Sequence, residues 1–167
     1  MNNQKFRWGI VVIVAAVWVL NAAGPRNAYA HQAKCPFCEQ DVVQDTADQD
    51  NEVALRYGKK RIEYRCVMCA IADSKNYKGD VTVISPTEIM GKPALIARKN
   101  GQWTSEPQGL IFIGEKVKHR HCQLGYRAFM TKSAFDEHVK MNKAIVHEAK
   151  PMTLDDMVKI ADGYSKD

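Results

Sequence analysis

Apolar positions along the chain fall into distinct patterns. Gly9 to Leu20 is one uncharged apolar run. Between Val53 and Glu148 the apolar residues instead come in short β-branched and aromatic segments separated by turn residues, the pattern of strands. Val53 to Tyr57, a tight turn at Gly58-Lys59-Lys60 and Arg61 to Arg65 predict a hairpin; Val67 to Lys75 predicts a helix, and Val81 to Ser85 a further strand. The second half repeats this order. Leu110 to Ile113 predicts a strand, Gly114-Glu115-Lys116 a turn, and Val117 to His121 the returning strand, ending at Cys122. Ser133 is placed to cap a helix through Asn142, with Asp136 in the reciprocal position, and Ala144 to Glu148 predicts the closing strand. Gly58 stands eight residues before Cys66, and Gly114 eight before Cys122.

The expected fold class is therefore α+β, with two ββαβ units related by internal duplication and a C-terminal helix. The organisation read from this is 1–30 as a targeting segment, 31–85 as the first unit, 86–108 as a connecting hairpin, 109–150 as the second unit and 151–167 as the helix. In the connection, Asn100-Gly101 predicts a turn between strands at Ala94–Arg98 and Gln102–Thr104. In the last segment, Pro151 ends the preceding strand, Thr153 caps the helix and Gly163 ends it. Leu154, Met157, Val158, Ile160 and Ala161 form its apolar face, which assigns Met152 and Met157 to packing.

Charge bears on the first thirty residues most. They hold Lys5, Arg7 and Arg26 and no acidic residue, so 21 of the 24 basic side chains face 19 acidic ones in the rest. That balance is too weak to steer the chain to nucleic acid. A basic start, an apolar stretch shorter than a membrane span and Ala28-Tyr29-Ala30 predict an export signal cut after Ala30. The expected localisation is periplasmic, with membrane contact only through this segment where it stays uncleaved. Gln32-Ala33-Lys34 before Cys35 is not a lipoprotein box. His31, as a new N-terminus, would offer its amine and imidazole to Cu(II).

Five cysteines in 167 residues carry the chemistry. Cys35-Pro36-Phe37-Cys38 and Cys66-Val67-Met68-Cys69 are two Cys-x-x-Cys pairs, 27 residues apart, whose turns can assemble a four-thiolate shell. Zn(II) in a closed tetrahedral site is one occupant of such a shell. Met68 inside the second pair adds a thioether, and thioether beside thiolate selects Cu(I). Cys122 is left over after the two pairs, with His119 and His121 alternating just before it; His138 and His147 read as structural. The candidate metal ligands are Cys35, Cys38, Cys66, Cys69, Cys122, His121 and Met68. A redox reading of Cys35-Pro36-Phe37-Cys38 is disfavoured, because an acidic loop follows it where an oxidoreductase needs a helix. No Ser-His-Asp set, phosphate loop or catalytic carboxylate pair stands out.

The first half, from Cys35-Pro36-Phe37-Cys38 through the hairpin to Cys66-Val67-Met68-Cys69, resembles the TRASH/YHS type of metal-binding domain, with Glu39-Gln40 where that type has Gly-Met. From Cys35 to about Glu148 the chain resembles the NosL family, copper-binding accessory proteins of nitrous oxide reductase maturation. That resemblance rests on the opening Cys-Pro-x-Cys, on His121-Cys122-Gln123-Leu124-Gly125-Tyr126-Arg127-Ala128-Phe129 and on Ser133-Ala134-Phe135. Cys122 stands where the family has methionine, and the pair Cys66/Cys69 is additional to it. The resemblance implies two ββαβ units and Cu(I) delivery to an exported copper enzyme. The expectation is an exported Cu(I) carrier rather than an enzyme, with an exposed, incomplete ligand shell and an exported copper-receiving protein as partner. The alternatives are an exported thiol-disulfide oxidoreductase and a zinc-stabilised interaction module.

Overall fold

The computed structural model describes residues 34–42, 53–116, 124–143 and 149–164, all within one unit, His31–Asp167. Five strands make an antiparallel sheet in the order β2-β1-β3-β4-β5. They are β1 (Val53–Tyr57), β2 (Lys60–Tyr64), β3 (Val81–Ser85), β4 (Ala94–Lys99) and β5 (Gln102–Glu106). Central β3 alternates buried Val81, Val83 and Ser85 with half-buried Thr82 and Ile84, the period of a strand with one face on a core. The β4–β5 turn needs two residues at positive φ, and Asn100 (49°) and Gly101 (80°) supply them.

Helix α1 (Val67–Asp73) follows β2 after two residues and is buried on every side. Its sequence, Val-Met-Cys-Ala-Ile-Ala-Asp, is apolar all round but for its last residue, which is what a fully enclosed helix requires. A single 3-10 turn, Ser74–Asn76, continues it. Helix α3 (Leu154–Asp162) packs on α1 through fully buried Met157 and Ala161. Thr153 and Asp156 close a reciprocal capping box at its start. Lys75 donates to the carbonyls of Ala161, Asp162 and Tyr164 at its end.

Strands β6 (Ile111–Lys116) and β7 (Leu124–Phe129) pair as a separate antiparallel ribbon. Strand alternation divides its side chains between two cores. Phe112 and Ala128, directly opposite each other, join Tyr126 in the main core. Ile113 and Phe129 instead face α2 (Lys132–Met141), whose Phe135 meets Phe129 edge-on at 5.9 Å. His138 packs on the same ring at 5.1 Å and its Nδ1 lies 3.3 Å from the Asn142 amide, a structural histidine as the sequence indicates. Both Glu88 carboxylate oxygens accept from the Met130 N–H, at 3.1 and 3.0 Å, tying the ribbon's end to the loop after β3.

The α+β class and the first β-β-α-β order hold as expected. The second half departs from the sequence pattern. Gly114-Glu115-Lys116 is not a turn but the end of β6, with Gly114 paired to Tyr126. The eight-residue match to Gly58–Cys66 therefore does not measure the same feature twice, and the duplication loses that support. The predicted strands Val117–His121 and Ala144–Glu148 lie outside the described residues, as does the segment 1–30. The cap of α2 is Thr131, whose hydroxyl accepts from Ala134 N at 3.1 Å, rather than Ser133. Thr131 wins because its extended backbone places Oγ1 over the first turn, whereas Ser133 is already helical.

Candidate metal centre

Cys35 and Cys38 sit on a clipped turn. Lys34 and Asp41 bridge its ends and form an ion pair. Cys35 N donates to Gln40 O and Glu39 N donates to Cys35 O, each at 2.9 Å. Closing the turn so tightly puts Glu39 at φ +60°, a conformation that favours glycine. Inside the turn Cys35, Phe37 and Cys38 are all buried. Arg65, the residue before the second pair, donates to Asp41 O at 2.9 Å and fastens the turn to the end of β2.

The second pair is placed by the start of α1. Cys66 is the N-cap, with extended backbone (φ −153°, ψ 168°), and Cys69 is the third helical residue. N-cap and third-position side chains face one another across a first turn, and the two sulfurs stand 3.5 Å apart with Cys66 donating. Across from them the Cys35–Cys38 turn brings up its own thiols. The sulfurs of Cys35, Cys38 and Cys69 all lie within 4.8 Å of one another. The three residues are 0% exposed and Cys66 is 4% exposed; all four are free thiols.

Cys35 and Cys69 are both pushed toward the protonated form. The Cys69 pKa is raised, first by the Cys35 thiol and then by Cys38, Cys66 and burial. Cys35 is raised as well, chiefly by Cys38 and burial, against the lowering influence of Cys69 and of the backbone N–H groups of Arg65 and Cys38. Sulfurs packed this closely cannot all ionise unless a cation takes up the charge. What the arrangement can do is exchange protons for a soft metal ion, since thiolates are the ligands such ions prefer.

One turn along α1 from Cys69 lies a buried polar group that sequence reasoning did not single out. Asp73 accepts from Tyr64 Oη at 2.5 Å, from Tyr77 Oη at 3.3 Å and from the Asn76 amide at 2.7 Å. Burial first, and then the Asp73 carboxylate, push the Tyr64 pKa up, so the phenol stays a donor. Tyr64 ends β2 and Asp73 ends α1, so this bond fixes the helix against the strand on either side of Cys66 and Cys69. The sequence signal was one acid at the end of an otherwise apolar helix.

The site gathers some of the sequence's candidates and not others. Cys35, Cys38 and Cys69 come together with Cys66 against them. Met68 is fully buried in the main core, the cluster that also holds the four cysteines. Cys122, His121, His119, His147 and His31 lie outside the described residues. The expected exposed shell is corrected: all four thiols are enclosed, because α1 is covered on every side and the turn folds its cysteines inward. The first pair lies on a turn and the second opens a helix, so the placement typical of an oxidoreductase belongs to Cys66/Cys69 rather than to Cys35/Cys38. A polar depression of about 550 Å³ beside Arg98, Trp103, Asp80 and Asp162 has no cysteine in its lining.

No protein-family model and no curated protein matches the chain. Among solved structures it is similar to the mercury-bound form of MerB2, with a TM-score of 0.51 at 14% sequence identity, over 72% of this chain and 66% of that one. At this identity the likeness is one of fold. With the thiol cluster, it leaves a mixed α/β chain whose buried cysteines can hold a soft metal ion.

Proposed function

We propose that this protein is an exported, NosL-like Cu(I) carrier that passes the ion by ligand exchange to a periplasmic copper enzyme such as nitrous oxide reductase. The observation that carries this is the set of three enclosed thiols within 4.8 Å of one another. Soft thiolate sets favour Cu(I), and the mercury-bound state of the similar fold is in keeping with a soft-metal site. Enclosure of all four thiols weighs against a thiol-disulfide enzyme, whose attacking cysteine must reach its substrate. The carrier reading needs no catalytic residue. Release from so closed a site proceeds by lifting the turn 34–42. Its outer fastenings are the exposed Lys34–Asp41 pair, which solvent screens, and the Arg65 bond to Asp41 O.

Burial of all four thiols favours a second reading, a structural zinc in an interaction module. Metal content by mass spectrometry on anaerobically purified exported protein, with a parallel thiol count, decides between them. Copper, with free thiols once it is removed, supports the carrier. Zinc that resists mild chelation supports the module. An absence of metal with four cysteines oxidised refutes both.

A further inference from the structure

The four clustered cysteines do not occupy equivalent places. A tetrahedral thiolate shell at ordinary bond lengths sets every pair of sulfurs about 3.8 Å apart. Cys35, Cys38 and Cys69 form a mutual set compatible with one central ion. Cys66 lies outside that set while standing 3.5 Å from Cys69 with its S–H directed at the Cys69 sulfur. Its position follows from the backbone. As the extended N-cap, its side chain turns across the first helical turn toward the third residue, and that residue is Cys69.

We infer that Cys35, Cys38 and Cys69 form a three-coordinate thiolate site for a soft d10 ion, and that Cys66 is a positioning residue that donates an S–H hydrogen bond to the Cys69 sulfur. This rests on the soft-metal reading and goes past it in separating ligands from support. Three thiolates satisfy an ion content with three soft donors, whereas Zn(II) in a structural site requires a fourth. A hydrogen bond to a ligating sulfur orients it and adjusts its donor strength, and losing such a contact weakens metal affinity by about 10- to 100-fold. The Cys66–Cys69 pair then sets specificity through geometry: the fourth thiol lies close enough to support the ligand yet outside the shell.

The test is made on the full chain loaded with Cu(I) alone, comparing wild type with Cys66→Ser, Cys66→Ala and Cys69→Ser by X-ray absorption and chelator competition. The expected sulfur count is three in wild type and in both Cys66 variants. Cys66→Ser, which keeps an O–H donor, should hold affinity within about threefold, and Cys66→Ala should lose about 10- to 100-fold. Cys69→Ser should drop to two sulfurs and lose more than either. Circular dichroism of the metal-free variants separates lost ligation from lost fold, and the two Cys66 variants carry the test if Cys69→Ser does not fold. Four sulfurs in wild type falling to three in Cys66→Ser, with a loss equal to that of Cys69→Ser, overturns the assignment. Should Cu(I) not bind, the copper reading fails by itself, and the same counts with Hg(II) decide the coordination. Binding of neither ion overturns the inference too.

Discussion

Glu39 stands at φ +60° immediately after the first cysteine pair, and its side chain is exposed. A residue with a Cβ in that region gives up roughly 1–2 kcal/mol. Glycine would relieve it, while losing roughly 0.5–1 kcal/mol more chain entropy on folding. The net expectation for Glu39→Gly is a gain of about 0.5–1 kcal/mol, or a Tm rise of about 1–4 °C for a chain this size. Asn, which tolerates the left-handed region, should fall between, and β-branched Val should be the least stable of the four. Glu39→Pro adds a second fault: it fixes φ near −65° and deletes the N–H that donates to Cys35 O. That variant should lose the turn, and with it the closeness of Cys35 and Cys38 to Cys69. The assay is thermal unfolding of the reduced, metal-free protein under anaerobic conditions, followed by Cu(I) competition. Stability should run Gly, Asn, Glu, Val, with Cu(I) affinity collapsing only for Pro. A Val variant as stable as the Gly variant would show that the turn does not hold Glu39 as described, and the account of the first pair would fail with it.

Metal affinity should be steeply dependent on pH. Three protonated thiols release three protons per ion, so apparent affinity should rise about a thousandfold per pH unit below the ordinary thiol pKa; competition titrations between pH 6 and 7.5 measure the slope, and a slope of one or less would contradict three protonated ligands. Metal-free stability should move the other way. Cys35 and Cys69 have folded pKa values above the unfolded one, so their contribution is complete below about pH 8.5 and is lost as pH rises beyond it, at about 1.4 kcal/mol per unit per thiol; denaturant melts at pH 8 and 10 would show it. Asp73→Ala leaves the buried Tyr64 hydroxyl without its 2.5 Å partner and should cost about 2–4 kcal/mol, read by urea unfolding, with a near-neutral result counting against the network as the brace between β2 and α1. Met157→Ala opens a cavity where α3 meets α1 and should cost about 2–5 kcal/mol in the same assay.

Where the sequence carried strong local signals, the fold was legible. Asn100-Gly101 demanded a two-residue turn, the β-branched run Val81–Ser85 a strand, and Thr153 a helix cap, and each is found in place. The second half was misread because glycine was taken as punctuation. Gly114 lies inside β6, paired with Tyr126 of β7. Only long-range pairing between residues 111–116 and 124–129 shows this, and a local pattern contains no trace of it. The cysteine pairs were legible as a cluster but not in their division of labour. Spacing alone treats Cys66 and Cys69 alike, while the N-cap geometry that separates them depends on where α1 begins. Asp73 was overlooked for a related reason: a single acid in an apolar run gives no hint of the two phenols, from residues 64 and 77, that converge on it.

On the proposed reading the protein must hold an ion firmly and still give it up, and enclosure of the thiols answers only the first need. The resolution lies in how differently the two halves of the site are held. Cys69 belongs to a helix buried on every side and braced by Asp73, so its sulfur moves only if the core does. Cys35 and Cys38 belong to a turn anchored by buried Phe37, whose polar fastenings include two backbone bonds, a surface ion pair and a guanidinium contact. Lifting it exposes Phe37 and the two cysteines but leaves α1 and its brace in place, a sub-global opening rather than unfolding of the whole core. Metal exchange should thus begin with the first pair leaving and Cys69 holding last. On that argument Arg65→Ala, which removes the bond to Asp41 O, should speed Cu(I) transfer to an external chelator while changing global stability by about 1 kcal/mol or less. Stopped-flow transfer beside equilibrium unfolding tests it. A rate unchanged by loss of that fastening would mean the ion leaves by a route that does not lift the turn.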